Sequence, residues 1–282
     1  MPAELVTAGE AFEDLIFYGL PRLPRPGEEL KTSRFARVPG GGVIITAVTA
    51  ARLGVATKAV SALSDLGSVT LRREGVAVRD LRRRGEAPAI TAAISTARER
   101  TFVTFNGVND QLEQRLLREL PRERGRHLHC AFFPSRCSRW TRVVRGLQRR
   151  GRTVSWDFGW NPPLARDREF PALLAALDLV FVNEAEAMLY SRKRSESAAL
   201  AWWPGAARAT VVKLGQRGAV YMSSQAVLRA PAPRVRVMDT TGAGDAFNGG
   251  YLAAFVRGAE VSACLRAGNA VGAASTTRAG GL

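Results

Sequence analysis

A chain of 282 residues, 46% hydrophobic and 23% charged, can bury a sizeable core as one large α/β domain or two small ones, and it does not read as disordered. No apolar run reaches the roughly 18 residues needed to cross a bilayer; the best, at 171–182, is short and contains Asp178. The formal charge of +16 would suit a polyanion binder, but only four of the 41 basic residues are lysines. The arginines are spread along the chain in short clusters without interleaved aromatics. A pervasive arginine preference is therefore favoured over a nucleic-acid surface, although long-range steering of a phosphorylated substrate stays open. Cys130, Cys137 and Cys264 are too few and too odd in number for a disulfide framework. Glu4, Glu10, Glu13 and Asp14 interrupt any N-terminal leader. A cytoplasmic protein with reduced thiols is the expectation.

Residues 4–8 predict a strand running into Gly9, and 28–38 an extended piece. Pro39-Gly40-Gly41-Gly42 is a breaker, followed by a buried helix over 43–53 that Gly54 ends. A buried strand at 55–62, a short helix at 68–74 and an extended piece from Val76 come next. Residues 89–97 and 101–105 predict strands joined by a turn at Arg98-Glu99-Arg100. From about Gln111 helices alternate with strands at 127–133, 153–157, 179–182, 209–213 and 219–222. That rhythm predicts a mostly parallel sheet covered on both faces. The β-rich pieces near 12–38 and 88–106 fall outside it and predict a small accessory sheet. One domain over 1–282 with a discontinuous lid is the simplest organisation.

The chemistry concentrates at 237–255, VMDTTGAGDAFNGGYLAAF. Gly242 and Gly244 let backbone amides converge where a helix begins, and the helix dipole adds positive potential. Such a turn can hold a phosphate or a developing phosphoryl charge. Asp245, in the first helical turn, is placed to take a proton from an attacking hydroxyl. It fits equally the pattern of an ordinary acid at a helix start.

DTTGAGDAFNGG closely resembles the C-terminal signature of the ribokinase-like (PfkB) carbohydrate kinase family. Gly9-Glu10 with Asp14, Gly40-Gly41-Gly42 with Arg52-Leu53-Gly54, Asn183-Glu184-Ala185-Glu186 as N-x-x-E, Lys213-Leu214-Gly215 with Gly218, and Gly268-Asn269 follow in the family's order. The resemblance implies a three-layer α/β/α fold with a β lid. It implies an ATP-dependent kinase acting on a hydroxymethyl group, with Asp245 as general base and Gly242, Ala243 and Gly244 as anion hole. Asn183 and Glu186 would organise Mg²⁺, largely through water. Lys213, Gly215, Gly218 and Asn269 would contact the nucleotide. Asp239, Thr241, Ser275, Arg278 and Gly280 match the positions where relatives bind a monovalent cation such as K⁺. Asp14, Phe12, Gly41, Gly42 and Ile45 would line the acceptor pocket, and the lid would form a homodimer.

Two departures bear on the acceptor. Phe12 and Ile45 stand where the family commonly has asparagine, which predicts a pocket less sugar-like on one side. Residues 61–75 are short by about one helical turn, or 3–4 residues. A nucleoside kinase is therefore the enzymatic alternative, and a catalytically weak binding or regulatory protein the alternative of another class. Asp157, at a carboxyl strand end, is a secondary site candidate. His127 and His129 share one strand face and Cys130 takes the other, so no zinc site is expected.

Overall fold

The computed structural model describes residues 3–96, 100–277 and 281–282. The chain opens with β1 (Ala3–Gly9), β2 (Phe12–Leu20) and β3 (Phe35–Gly40), then α1 (Gly42–Arg52), β4 (Thr57–Ser61), α2 (Asp65–Arg73) and β5 (Ala77–Asp80). Strands β6 (Ile90–Thr96) and β7 (Arg100–Phe105) precede the alternating part. That part comprises α3 (Leu112–Glu119), β8 (Gly125–Ala131), α4 (Cys137–Gln148), β9 (Thr153–Asp157), α5 (Phe170–Ala176), β10 (Leu179–Asn183), α6 (Glu184–Ser191), α7 (Glu196–Ala206) and β11 (Ala209–Lys213). Last come β12 (Ala219–Ser223), β13 (Val227–Ala230), α8 (Ala243–Val256) and α9 (Val261–Ser275).

The large sheet has the order β13-β12-β11-β10-β9-β8-β1-β4-β5. From β11 to β5 every pairing is parallel, and β12 and β13 add antiparallel strands at one edge. Successive residues point to opposite faces, and both faces are buried. In β1, Leu5 joins the core under α8 and α9, while Val6 and Ala8 join the core under α3 to α7. The α3–α7 side is filled by large rings, including Trp140, Trp156 and Trp203, all fully buried. Among the described residues no helix is long and apolar enough to cross a membrane.

The out-of-rhythm strands form the second sheet, ordered β3-β2-β6-β7, with β2 and β6 parallel and the other pairs antiparallel. The expected turn residues Arg98 and Glu99 lie outside the described residues. Two expectations are corrected. Pro39 and Gly40 belong to β3 rather than breaking it, because β3 is an edge strand, where a missing N–H is tolerated. The predicted helix at 68–74 starts at Asp65, since Ser64 caps it by accepting from the Gly67 N–H at 3.0 Å.

Candidate active site

A switch in strand order opens a crevice at the carboxyl ends of β1 and β8, the usual binding position in such sheets. There the Glu10 N–H donates to the Ala131 carbonyl at 3.1 Å. Gly9 is required by this approach, because a Cβ would lie 2.1 Å from the Ala131 oxygen. The last residues of the next strands, Asp157, Asn183 and Lys213, end at the same edge of the sheet.

Opposite them α8 begins. Its N-cap, Gly242, is left-handed (φ 70°), a conformation that favours glycine. No side chain caps this helix end. The Ala243 N–H, expected in the anion hole, donates instead to the Thr240 carbonyl at 3.2 Å, because the turn closes on itself there, whereas the N–H groups of Gly244 and Asp245 have no backbone acceptor among the described residues. Two free amides and a helix dipole make this turn an anion cradle. Ile45, buried in α1, packs against it from behind; a Cβ on Gly242 would meet its Cδ1 at 2.7 Å.

Asp245 sits in the first turn of α8 and is half-buried. Its carboxyl is pushed up to about 7, first by burial and then by Asp157. A Cβ on Gly42 would lie 2.7 Å from Asp245 Oδ1 and 2.8 Å from the Ala131 Cβ. The first residue of α1, the end of β8 and the Asp245 carboxylate thus meet at one point.

Under the cradle lies a buried polar cluster. Lys213 Nζ is 2.7 Å from Asp157 Oδ2, and the Asn248 amide donates to the same oxygen at 2.7 Å. Burial pulls the Lys213 ammonium down, but Asp157 and Glu186 more than offset it, so its pKa is raised. Burial pushes the Asp157 carboxyl up, and Lys213 reverses this to leave it lowered. A Cβ on Gly244 would come within 3.1 Å of Nζ, so the ammonium lies directly beneath the cradle. Asn248 has no counterpart among the sequence candidates, because its partner Asp157 lies 91 residues away in the chain and only the fold brings them together.

Asn183 and Glu186 form a capping box. The Asn183 side chain accepts from the Glu186 N–H at 2.9 Å, and Glu186 Oε2 accepts from the Asn183 N–H at 2.8 Å. Glu186 is buried, and its carboxyl is raised to about 7 by burial and then by Asp157. Its Oε1 has no protein partner among the described residues. Oxygen donors of this kind suit a hard cation that keeps its waters. Among the described residues no three acidic, His or Cys side chains converge to cage a metal directly.

A cavity of about 580 Å³ adjoins the cradle and brings together Lys213, Gly215, Gly218, Gly244 and Asn269. Its size suits a nucleotide. Asn269 also has a structural task, since its amide donates to the Ala230 carbonyl at 2.9 Å and the Pro231 carbonyl at 3.2 Å. Phe247 and the apolar loop residues Val235 and Val237 are among the other residues that line it. Val235 has no motif to reveal it, and Val237 and Phe247 lie in the 237–255 stretch without a role assigned to them from sequence.

On the acceptor side, Phe12 and Asp14 share one face of β2 by strand alternation. Asp14 lies against β3 so closely that a Cβ on Gly40 would be 2.0 Å from its Oδ2. Burial raises the Asp14 carboxyl to about 6. Gly41 (φ 95°) could take no side chain either, with the Glu10 carbonyl 2.3 Å from its ideal Cβ. Glu10, which sequence reading did not assign to the site, is raised to about 7 by burial and by Asp110.

Of the cation positions, Asp239 Oδ1 accepts from the Thr241 N–H at 2.9 Å and its hydroxyl at 2.7 Å. The Ser275 hydroxyl donates to the Gly272 carbonyl. Arg278 and Gly280 lie outside the described residues. His127 and His129 are buried, both bonded to the Ser155 hydroxyl, at 2.7 and 2.8 Å.

A family model described as pfkB family carbohydrate kinase matches residues 2–282. The chain is 27% identical over 269 residues to an uncharacterised sugar kinase of Escherichia coli, YegV, covering 88% of this chain and 81% of that protein. It is 24% identical over 282 residues to a nucleoside kinase of Methanothermobacter thermautotrophicus, covering 95% and 87% respectively. Arabidopsis thaliana ribokinase complexed with ribose and ATP shares the fold, with TM-score 0.79, 22% identity and coverage of 99% and 94%. With its fold, its cradle and this match over nearly its whole length, the chain belongs to the pfkB family of carbohydrate kinases.

Proposed function

We propose that the whole chain works as one ATP-dependent kinase unit that phosphorylates a hydroxymethyl group of a sugar or sugar derivative, with Asp245 as general base. The observation that carries this reading is the Asp245 carboxyl, held near neutrality beside two free amides where the acceptor crevice meets the nucleotide cavity. A base is most effective when its pKa lies near the working pH. Asp14, and beside it Gly41 and Gly42, hold the acceptor so that its hydroxyl faces Asp245. Asp245 takes the hydroxyl proton as the oxygen attacks. The amides of Gly244 and Asp245, with the Lys213 ammonium beneath, stabilise charge on the transferring phosphoryl group. Asp157 and Asn248 keep Lys213 in place. The small sheet closes over the crevice and excludes water. Mg²⁺ held at Asn183 and Glu186 through water would neutralise phosphate charge. We assign K⁺ to the Asp239 and Thr241 loop and the protein to the cytoplasm.

Phe12 favours a second reading, in which the acceptor is a nucleoside. It stands on the Asp14 face of β2, where a ring could stack on a base. The outer face of the same sheet carries Phe17, Phe35, Val103 and Phe105, all exposed, with Phe17 and Phe35 rings 5.1 Å apart. That patch supports a homodimer through the lid. A coupled assay of ATP consumption over sugars and nucleosides tests both acceptor readings. Turnover of ribose-like sugars supports the first and turnover of nucleosides the second. No turnover with either class would leave only a binding protein and sink both.

A further inference from the structure

Some arginines of the molecule are matched by carboxylates, as in Arg52 with Glu74, Arg79 with Glu119, Arg115 with Glu86 and Arg217 with Glu196. A cavity of about 510 Å³ between α3 and α4 gathers several that are not. Arg118, Arg139, Arg142 and Arg150 line it, and no acidic residue does. None of the four has a carboxylate partner among the described residues; Arg150 donates only to the Pro121 carbonyl, at 2.7 Å. Leu117 and Val143 form an apolar floor. The helix spacing explains the gathering. Positions 139, 142, 143, 146 and 150 fall on one face of α4 and its continuation, and 114, 117, 118 and 121 on one face of α3 and its continuation. Arg139 and Arg150 stand roughly 16 Å apart along the axis, at about 1.5 Å per residue. The groove belongs to the core on the opposite side of the large sheet from α8, so it is separate from the nucleotide cavity.

We propose that this groove is a second anion site that takes a small molecule carrying two or more phosphates. Guanidinium groups bind phosphate oxygens in pairs of hydrogen bonds, and unmatched ones gain most from an incoming anion. The volume is that of a small-ligand site. No aromatic side chain lines the groove to stack bases, which favours a compact phosphate compound over a nucleic-acid strand.

Calorimetric titration with inorganic tripolyphosphate tests this, with the nucleotide cavity filled by a non-hydrolysable ATP analogue. One further equivalent should bind, more weakly as salt rises. Arg139→Gln with Arg142→Gln should weaken it roughly tenfold per arginine removed. Arg72→Gln with Arg73→Gln, which removes the same charge from the exposed surface of α2, should leave it unchanged. The comparison between the two double variants holds whether or not the analogue binds. Absence of a further equivalent, an equal loss in both double variants, or tighter binding of a short DNA duplex than of tripolyphosphate would each overturn the proposal.

Discussion

Gly42→Ala separates folding from chemistry. Gly42 is the first residue of α1 and is not among the positive-φ glycines, so alanine fits its backbone. In a helix, alanine gains about 0.5–1 kcal/mol over glycine. The added methyl would nevertheless lie 2.7 Å from Asp245 Oδ1, where ordinary contact begins at 3.4 Å. The carboxylate must therefore yield by about 0.7 Å, and the start of α1 must also ease away from the Ala131 Cβ, 2.8 Å off at the end of β8, at a cost that offsets the helical gain. Misplacing a reacting group by about 1 Å can cost 10²-fold in rate, or about 2.7 kcal/mol of barrier. The variant should melt within a few degrees of the parent and lose roughly 30–100-fold in kcat with its best acceptor. Thermal melts followed by circular dichroism and a coupled ADP assay read the two quantities. A kcat within about twofold of the parent would refute the placement of the reacting hydroxyl at this carboxylate.

Two further outcomes follow from the buried charges. Asp245, Glu186 and Glu10 are raised to about 7 and Asp14 to about 6, against roughly 4 in an unfolded chain. Between those values the folded state keeps protons that the unfolded state has lost. Their contribution to stability is thus complete below about pH 4 and is lost as pH rises through about 7. Urea midpoints should fall from pH 5 to 8, less steeply in Asp245→Asn, and parallel curves would contradict the shift assigned to Asp245. Over the same range kcat/KM should rise with an acid limb near pH 7, because the base must be ionised. Lys213→Met strips the buried Asp157 carboxylate of its cation and should cost about 3–5 kcal/mol in urea unfolding. Adding Asp157→Asn should recover much of that stability but not the affinity for ATP; full recovery of both would remove Lys213 from the nucleotide site.

The stretch from Asp239 to Gly250 was legible because its chemistry is local. Two glycines at a helix start already imply an anion cradle, whereas the residues alone fit Asp245 equally as an ordinary helix-start acid, and the base role rests on the family resemblance. The small sheet was legible as a break in the helix–strand rhythm, and the facing of His127 and His129 as simple alternation. Pro39 misled because edge position, not residue type, decides whether proline ends a strand. Other features are products of the tertiary fold. Asp157 and Lys213 lie 56 residues apart, and Asp157 and Asn248 lie 91 apart, so no spacing rule joins them. The apolar loop over the nucleotide cavity, Val235 and Val237 included, has no regular structure and so no period to read. Four arginines from two separate short stretches, Arg118, Arg139, Arg142 and Arg150, are brought together by two helix faces on one groove, which their dispersal along the chain does not reveal.

The central claim is that Asp245 removes the proton from the acceptor hydroxyl. Asp245→Asn keeps the shape of the side chain and abolishes its basicity, so single-turnover phosphoryl transfer, measured beside the ATP dissociation constant, tests it most directly. Transfer should slow by at least about 10²-fold, with ATP affinity within about threefold of the parent. Transfer at the parental rate, or a loss accounted for by weakened ATP binding, would contradict the assignment.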